Sequence, residues 1–262
     1  IILTYEVKPP TKRGEQMIPQ TFFPFKLEMT SEDLTAHGGL SLLCEFNEGL
    51  GLSALVKAHL PRPGSNRGIL PWVYVNALVQ MQQGGGSSLE DLRDLERESG
   101  LRKLLGQMVF PDPCSVGDWL RRMGDPETGA LGLHGLDRVR ARLNSRILSH
   151  DTRSDYTLDV DATQVESWKQ DAAFTYQGVK GYMPMLGFLY ETPVCLYDEF
   201  REGNASPNSG QVSFYQACKS RMPSGKRIAR YRADSASYQA GLINDLEEDR
   251  VIWTITAPQD EA

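Results

Sequence analysis

The chain has 262 residues, of which 40% are hydrophobic and 24% are charged, as expected for a globular protein with a sizeable core. Its net charge of −6 excludes a generally basic surface, so any DNA contact must come from local basic patches or from metal ions held between acidic side chains. No apolar run reaches the roughly 18 residues of a membrane-spanning helix, and we expect a cytoplasmic protein with unpaired thiols and no membrane partner.

The first part of the chain is predicted to be an extended arm followed by a helical domain. Residues 1–30 are rich in proline and are assigned to the arm, with one strand near 22–28. Residues 31–150 are assigned to a helical domain. Apolar residues at three- and four-residue steps predict helices within residues 31–60, 69–86, 87–106, 110–123 and 131–148. Ser115, followed by Asp118, is predicted to cap the helix within 110–123.

The pattern changes to strands near Asp155, and residues 151–262 are assigned to one α/β domain. Strands are predicted at residues 157–165, 181–191, 194–202, 226–238 and 251–257, with helices at 211–222 and 238–250. The order β-β-β-α-β-α-β indicates three antiparallel strands followed by units that favour parallel pairing.

Two acidic residues lie side by side on one face of the first of these strands. In TLDVDATQV, Leu158 and Val160 point to one face, and Asp159 and Asp161 point to the other. Asp234 ends the fourth strand, so its carboxylate meets theirs if the first and fourth strands are neighbours. Facing carboxylates suit Mg²⁺, and metal ions between such acids support phosphoryl transfer. Aspartates at strand ends also cap turns, and the residues alone leave this structural explanation open.

Several blocks of the sequence resemble the bacterial insertion-sequence DDE transposases. The catalytic-half blocks are VDATQVESWKQDAAFTYQGVKGYMPMLGFLYET, CLYDEFREGNASPNSG and RIARYRADSASYQAGLIN, and the helical blocks are LTAHGGLSLLCEF, LEDLRDL and PDPCSVGDWLRR. They occur in the family's order from about Pro24 onwards. The chain is most similar to the thirteen-eighty family, in the superfamily named after insertion sequence four.

The resemblance implies a ribonuclease-H-like mixed sheet behind a helical DNA-binding domain. It implies an enzyme that cuts transposon ends and joins them to target DNA, using Mg²⁺ or Mn²⁺, with double-stranded DNA as partner and a homo-oligomeric synaptic complex. Asp161 matches the family's first catalytic, metal-binding aspartate and Asp234 its second, and Asp159 is the second choice for the first position.

One part of the family pattern has no match in this sequence. The third metal ligand of the family is a glutamate in a tyrosine-arginine-glutamate-lysine signature, and neither Glu247, Glu248 nor Glu261 has that context. We therefore expect a C-terminally truncated transposase that lacks the final helix. The alternatives are an inactive remnant, a DNA-binding fragment without catalysis, or a metal-dependent nuclease that uses Asp159, Asp161 and Asp234 together.

Four basic residues near these strands are predicted to contact DNA: Lys169, Arg201, Arg230 and Arg232. Solvated surface charge is the alternative explanation for Lys169 and Arg201, and pairing with the acids is the alternative for Arg230 and Arg232. Trp168, beside Lys169, is the aromatic residue that we would test for contact with a nucleotide, although packing also explains it.

Overall fold

The computed structural model describes residues 31–257 apart from positions 107, 126, 128 and 193. The predicted arm and its strand near 22–28 lie outside the described residues. Within the described part of the chain, no helix combines the length and the apolar character needed to cross a membrane.

Seven helices occupy the first part of the described chain, as the apolar spacing predicts. They are α1 (Leu40–Gly49), α2 (Leu52–His59), α3 (Pro71–Gln83), α4 (Leu92–Arg97), α5 (Ser99–Leu104), α6 (Pro113–Gly124) and α7 (Ala130–Ser149). Their apolar faces share one core, in which Val56, Leu101 and Val116 are fully buried. Trp119 belongs to this core and stacks on Tyr74 with ring centroids 4.9 Å apart.

The start of α6 differs from the prediction. Asp112, not Ser115, is the cap, because the Asp112 carboxylate accepts a hydrogen bond from the backbone nitrogen of Cys114 at 2.9 Å. Proline favours the first helical position, so Pro113 begins the helix and places the cap at Asp112, three residues before the predicted Ser115. Ser115 lies inside the helix, with its hydroxyl 2.9 Å from that of Tyr74.

The second part of the described chain forms a mixed five-stranded sheet. Its strands are β1 (Asp155–Ala162), β5 (Met185–Leu189), β6 (Val194–Glu199), β7 (Arg227–Ala233) and β8 (Ile252–Ile255), in the order β6-β5-β1-β7-β8. β1 and β6 pair antiparallel with β5, while β7 pairs parallel with both β1 and β8. This is the strand order of the ribonuclease-H-like fold, and it makes neighbours of the first and fourth predicted strands, β1 and β7.

A small second sheet interrupts two of the predicted strands. It consists of β2 (Val165–Glu166), β4 (Lys180–Tyr182) and β3 (Ala173–Phe174), in that order. The strand predicted at 157–165 is therefore divided between β1 and β2, and the one at 181–191 between β4 and β5. Pro184 lies at the second division, because proline has no N–H to donate to a ladder, and its carbonyl accepts from the backbone nitrogen of Thr163 at 2.9 Å.

One face of the main sheet packs on the helices α8 (Gln211–Ser220) and α9 (Ala240–Glu248). Leu158 of β1, Phe214 of α8 and Leu242 of α9 are almost completely buried in this core. Leu148 of α7 joins the same core, and Asn144 of α7 donates a hydrogen bond to the carbonyl of Cys195 at 2.8 Å. The other face of β1 and β7 carries the polar residues of the candidate site.

Candidate active site

Asp161 and Asp234 come together at the carboxyl ends of two neighbouring parallel strands. The β1–β7 register pairs Asp159 with Arg232 and Val160 with Ala233, so the next position places Asp161 opposite Asp234. Asp234 has an extended backbone, with φ −77° and ψ −174°, so the alternation of β7 continues through it. Adjacent strands lie about 4.8 Å apart, and both carboxylates project from the face opposite the core.

Each of these carboxylates is held by a local hydrogen bond. Thr163 donates from its hydroxyl to Oδ2 of Asp161 at 3.3 Å. Asp234 caps the 3-10 turn Ser235–Ser237, accepting at Oδ1 from the backbone nitrogen of Ala236 at 3.0 Å. The capping role considered from the sequence is thus real for Asp234. It uses one oxygen, and within the described residues the second oxygen of each carboxylate has no hydrogen-bond donor.

Asp159 is held by an arginine. Arg232 donates from Nε to Oδ1 of Asp159 at 2.7 Å and from Nη2 to Oδ2 at 2.6 Å, a bidentate pair across β1 and β7. The hydrogen bond to Asp159 raises the pKa of Arg232, and the guanidinium also lies over the ring of Tyr190, 4.2 Å from its centroid. Both oxygens of Asp159 are therefore engaged, which favours Asp161 over Asp159 as the metal ligand on β1.

The donor chemistry of Asp161 and Asp234 fits Mg²⁺ or Mn²⁺. Carboxylate oxygens are hard donors, and Mg²⁺ commonly uses one or two protein carboxylates together with substrate phosphates. Among the described residues, no three His, Cys, Asp or Glu side chains are grouped so as to hold a metal ion. Glu247 accepts from the indole of Trp253 at 2.7 Å, near the end of α9 that leads into the amino end of β8, away from these two carboxylates.

Arg201 lies inside the protein and not on its surface. Only 7% of the residue is exposed, and its guanidinium donates to the carbonyls of Met183 at 2.9 Å and Ser209 at 3.0 Å. Burial lowers the pKa of Arg201. The prediction that Arg201 contacts DNA finds no support in this placement, because its hydrogen bonds instead hold the loop between β6 and α8.

A buried polar network anchors the turn that follows Asp234. The hydroxyl of Ser237 donates to Oε1 of Gln211 at 3.0 Å and lies 3.5 Å from the hydroxyl of Tyr231. Gln239 donates to the carbonyl of Asn208 in the loop before α8. The sequence gives no signal for these contacts, because they join residues that are remote in the chain and belong to no recognised motif.

The remaining predicted DNA contacts lie on the surface. Arg230 is exposed and shares its face of β7 with Arg232 and Asp234, as the alternation predicts. Lys169 is exposed in the segment between β2 and β3. Trp168 beside it is 88% exposed, so the packing explanation considered for this side chain is wrong.

The family model described as Transposase DDE domain group 1 matches residues 23–261. No curated protein matches the chain significantly. A piggyBac transposase synaptic complex with hairpin DNA is similar with a TM-score of 0.36 and 13% identity, over 84% of this chain and 52% of that one. A Mos1 transposase paired-end complex with the left transposon end has a TM-score of 0.27 and 11% identity, over 86% and 79% of the two chains.

The chain thus spans about half the length of the piggyBac chain that it matches. Two observations bear on the family: the family model covers nearly the whole chain, and the topology is that of a ribonuclease-H-like sheet. The chain belongs to the DDE transposase domain family, group 1.

Proposed function

We propose that this chain carries the catalytic centre of an insertion-sequence DNA transposase, with Asp161 and Asp234 as ligands of Mg²⁺ or Mn²⁺. The observation that carries the proposal is the meeting of these two carboxylates at the ends of neighbouring parallel strands, on an exposed face. Membership in the DDE family supports the reaction class, cleavage and joining of DNA strands.

The residues of the site would have two roles, which are binding of the metal ion and orientation of its ligands. A bound divalent ion would activate a water or hydroxyl and stabilise the leaving oxygen in phosphodiester chemistry. Asp161 and Asp234 would hold the ion, and both side chains are exposed and therefore accessible to a DNA phosphate. The hydrogen bonds from Thr163 and Ala236 orient the two carboxylates before DNA binds.

Several further assignments belong to the same proposal. Residues 31–150 form the helical DNA-binding domain and residues 151–262 the catalytic domain. Arg230 and Lys169 contact double-stranded DNA, and the protein acts in the cytoplasm as a homo-oligomeric synaptic complex. A non-catalytic DNA-binding fragment is the second candidate, because two acids, and no third, are brought together among the described residues.

The experiment uses a supercoiled plasmid that carries the encoding gene with its flanking DNA, incubated with the protein and Mn²⁺ or Mg²⁺. We expect metal-dependent breaks at the two boundaries of the element, and we expect Asp161→Asn and Asp234→Asn to abolish them. Asp171→Asn, which changes an exposed acid outside the site, serves as the matched control. Breaks of equal yield with either site variant would refute the assignment, and binding without any breaks would favour the second candidate.

A further inference from the structure

The small sheet presents aromatic side chains to solvent next to the candidate active site. Pairing of Val165 with Tyr182 and of Phe174 with Lys180 puts these four side chains on one face. Phe200 packs on Tyr182, with ring centroids 4.7 Å apart. We call these five residues the aromatic platform. Phe174 is 67% exposed, Phe200 66% and Val165 46%, although burial of such side chains is favourable.

The segment after β6 pairs with the small sheet through backbone contacts. Gly203 lies so close to the carbonyls of Ala173 and Gly181 that an added Cβ would come within 2.5 Å of both oxygens. The backbone of Met183 also donates to the carbonyl of Arg201 at 2.9 Å, next to the pairing of Tyr182 with Glu202. These backbone contacts join the small sheet to the segment after β6 and fix the direction in which the platform faces.

The platform lies close to the two carboxylates. Val165 follows Asp161 by four residues, so their Cα atoms are at most about 14 Å apart. The hydrogen bond from Thr163 to Pro184 ties this connection to the start of β5. One DNA strand rises about 3.4 Å per nucleotide, so a strand with a phosphate at Asp161 reaches the platform within about four nucleotides.

The chemistry of the platform matches unpaired bases better than duplex DNA. Aromatic side chains on an open sheet stack on bases, whose faces are available only where the strand is not paired. Lys180 lies among the rings and exposed Lys169 lies close along the chain, where they suit the phosphates of the same strand. Glu166 alternates onto the other face of β2, away from the rings.

We propose that the aromatic platform binds unpaired bases of a DNA end whose phosphate lies at Asp161 and Asp234. This inference rests on the proposed function. It adds a binding surface for single-stranded DNA to the metal site.

The test compares a duplex carrying an unpaired extension of about four nucleotides with a blunt duplex of the same sequence. Fluorescence anisotropy at low salt measures both affinities for the wild-type protein, for the double variant Phe174→Ala/Phe200→Ala and for Phe46→Ala. Phe46 is 59% exposed on α1 and serves as the matched control, because it lies outside the platform.

The wild-type protein and Phe46→Ala are expected to prefer the extended duplex by about tenfold or more, since each stacked base contributes substantially to affinity. The double variant loses this preference and keeps its affinity for the blunt duplex. Equal wild-type affinity for the two duplexes refutes only the inference that the platform binds unpaired bases. Failure to bind either duplex refutes both this inference and the proposed function. The inference is also refuted if the double variant still prefers the extended duplex. If light scattering then shows that the variant is a monomer where the wild-type protein is a dimer, the platform is a protein interface instead.

Discussion

Asp159 of β1 and Arg232 of β7 form a bidentate ion pair at 2.7 and 2.6 Å. Each lies two residues before a site aspartate on its own strand, Asp161 on β1 and Asp234 after β7. The pair links the strands where their carboxyl ends must be in register. It also neutralises the acidic group nearest to the candidate metal site. The pair indicates an electrostatic and positioning role for Arg232, and its contact with DNA stays a prediction.

Changing either partner of this pair is expected to alter metal affinity in opposite directions. Arg232→Gln exposes the charge of Asp159 and strengthens Mn²⁺ binding by a few-fold, whereas Asp159→Asn leaves Arg232 uncompensated and weakens it by a similar factor. Isothermal titration with Mn²⁺ measures both. Arg227→Gln is the control, because Arg227 forms the equivalent pair with Asp155 at the far end of the same strands, at 2.8 Å. An equal effect of all three changes would refute the electrostatic role.

Ser237→Ala is expected to destabilise the fold and to loosen the turn that carries Asp234. Ser237 is 1% exposed, and its removal leaves the buried Oε1 of Gln211 without its donor, at a cost of about 1–3 kcal/mol. Urea denaturation measures the loss, and Mn²⁺ affinity should fall with it. Ser235→Ala in the same turn changes an exposed hydroxyl and should alter neither quantity. A Ser237→Ala protein as stable as wild type would show that this network does not hold the turn.

Arg201→Met separates a structural role from a DNA contact. Loss of the hydrogen bonds to the carbonyls of Met183 and Ser209 is expected to lower the free energy of unfolding by about 2 kcal/mol. The salt dependence of DNA binding should stay unchanged. The exposed Arg230 is the counterpart, since Arg230→Met should leave stability nearly unchanged and lower the salt slope by about one. A lower salt slope for Arg201→Met, at normal stability, would restore Arg201 as a phosphate contact.

The stability contributed by Asp151 should disappear in acid. A backbone hydrogen bond from Arg153, supported by the hydroxyl of Thr192 at 3.1 Å, lowers the pKa of Asp151 to about 2. Because the folded pKa lies below the unfolded value of about 3.9, the contribution is complete above that value and is lost as the pH falls towards 2. Asp151→Asn should therefore lower the urea midpoint at pH 7, with a difference from wild type that shrinks between about pH 4 and 2. A difference independent of pH would contradict this origin.

The sequence was sufficient to predict the main sheet because its strands are long enough for alternation to be visible. Leu158 and Val160 alternate with two acids, and the neighbouring strand alternates in the same way up to Asp234. The small sheet was not predicted because β2 and β3 have two residues each, too few to show an alternation of apolar and polar side chains. The position of Pro184 was the local signal for the break between β4 and β5.

The candidate site was predicted less completely than the sheet. Alternation placed Arg232 on the face of the acids and left its pairing open, but no local pattern identifies Asp159 as its partner. The burial of Arg201 depends on carbonyls of Met183 and Ser209, which only the folded loop brings together. The charge of Arg201 therefore suggested a contact with DNA, whereas in the folded protein its guanidinium is buried and bonded to backbone carbonyls.

The most direct measurement is Mn²⁺ binding, followed by the electron paramagnetic resonance signal of the free ion in titrations of the wild-type protein, Asp161→Asn, Asp234→Asn and Asp155→Asn. The account predicts that either site variant loses the binding seen with wild type while remaining folded, because both side chains are exposed on the face away from the core. Asp155→Asn, at the other end of β1, should bind as wild type does. Unchanged Mn²⁺ binding by Asp161→Asn and Asp234→Asn would contradict the claim that these two carboxylates form the metal site.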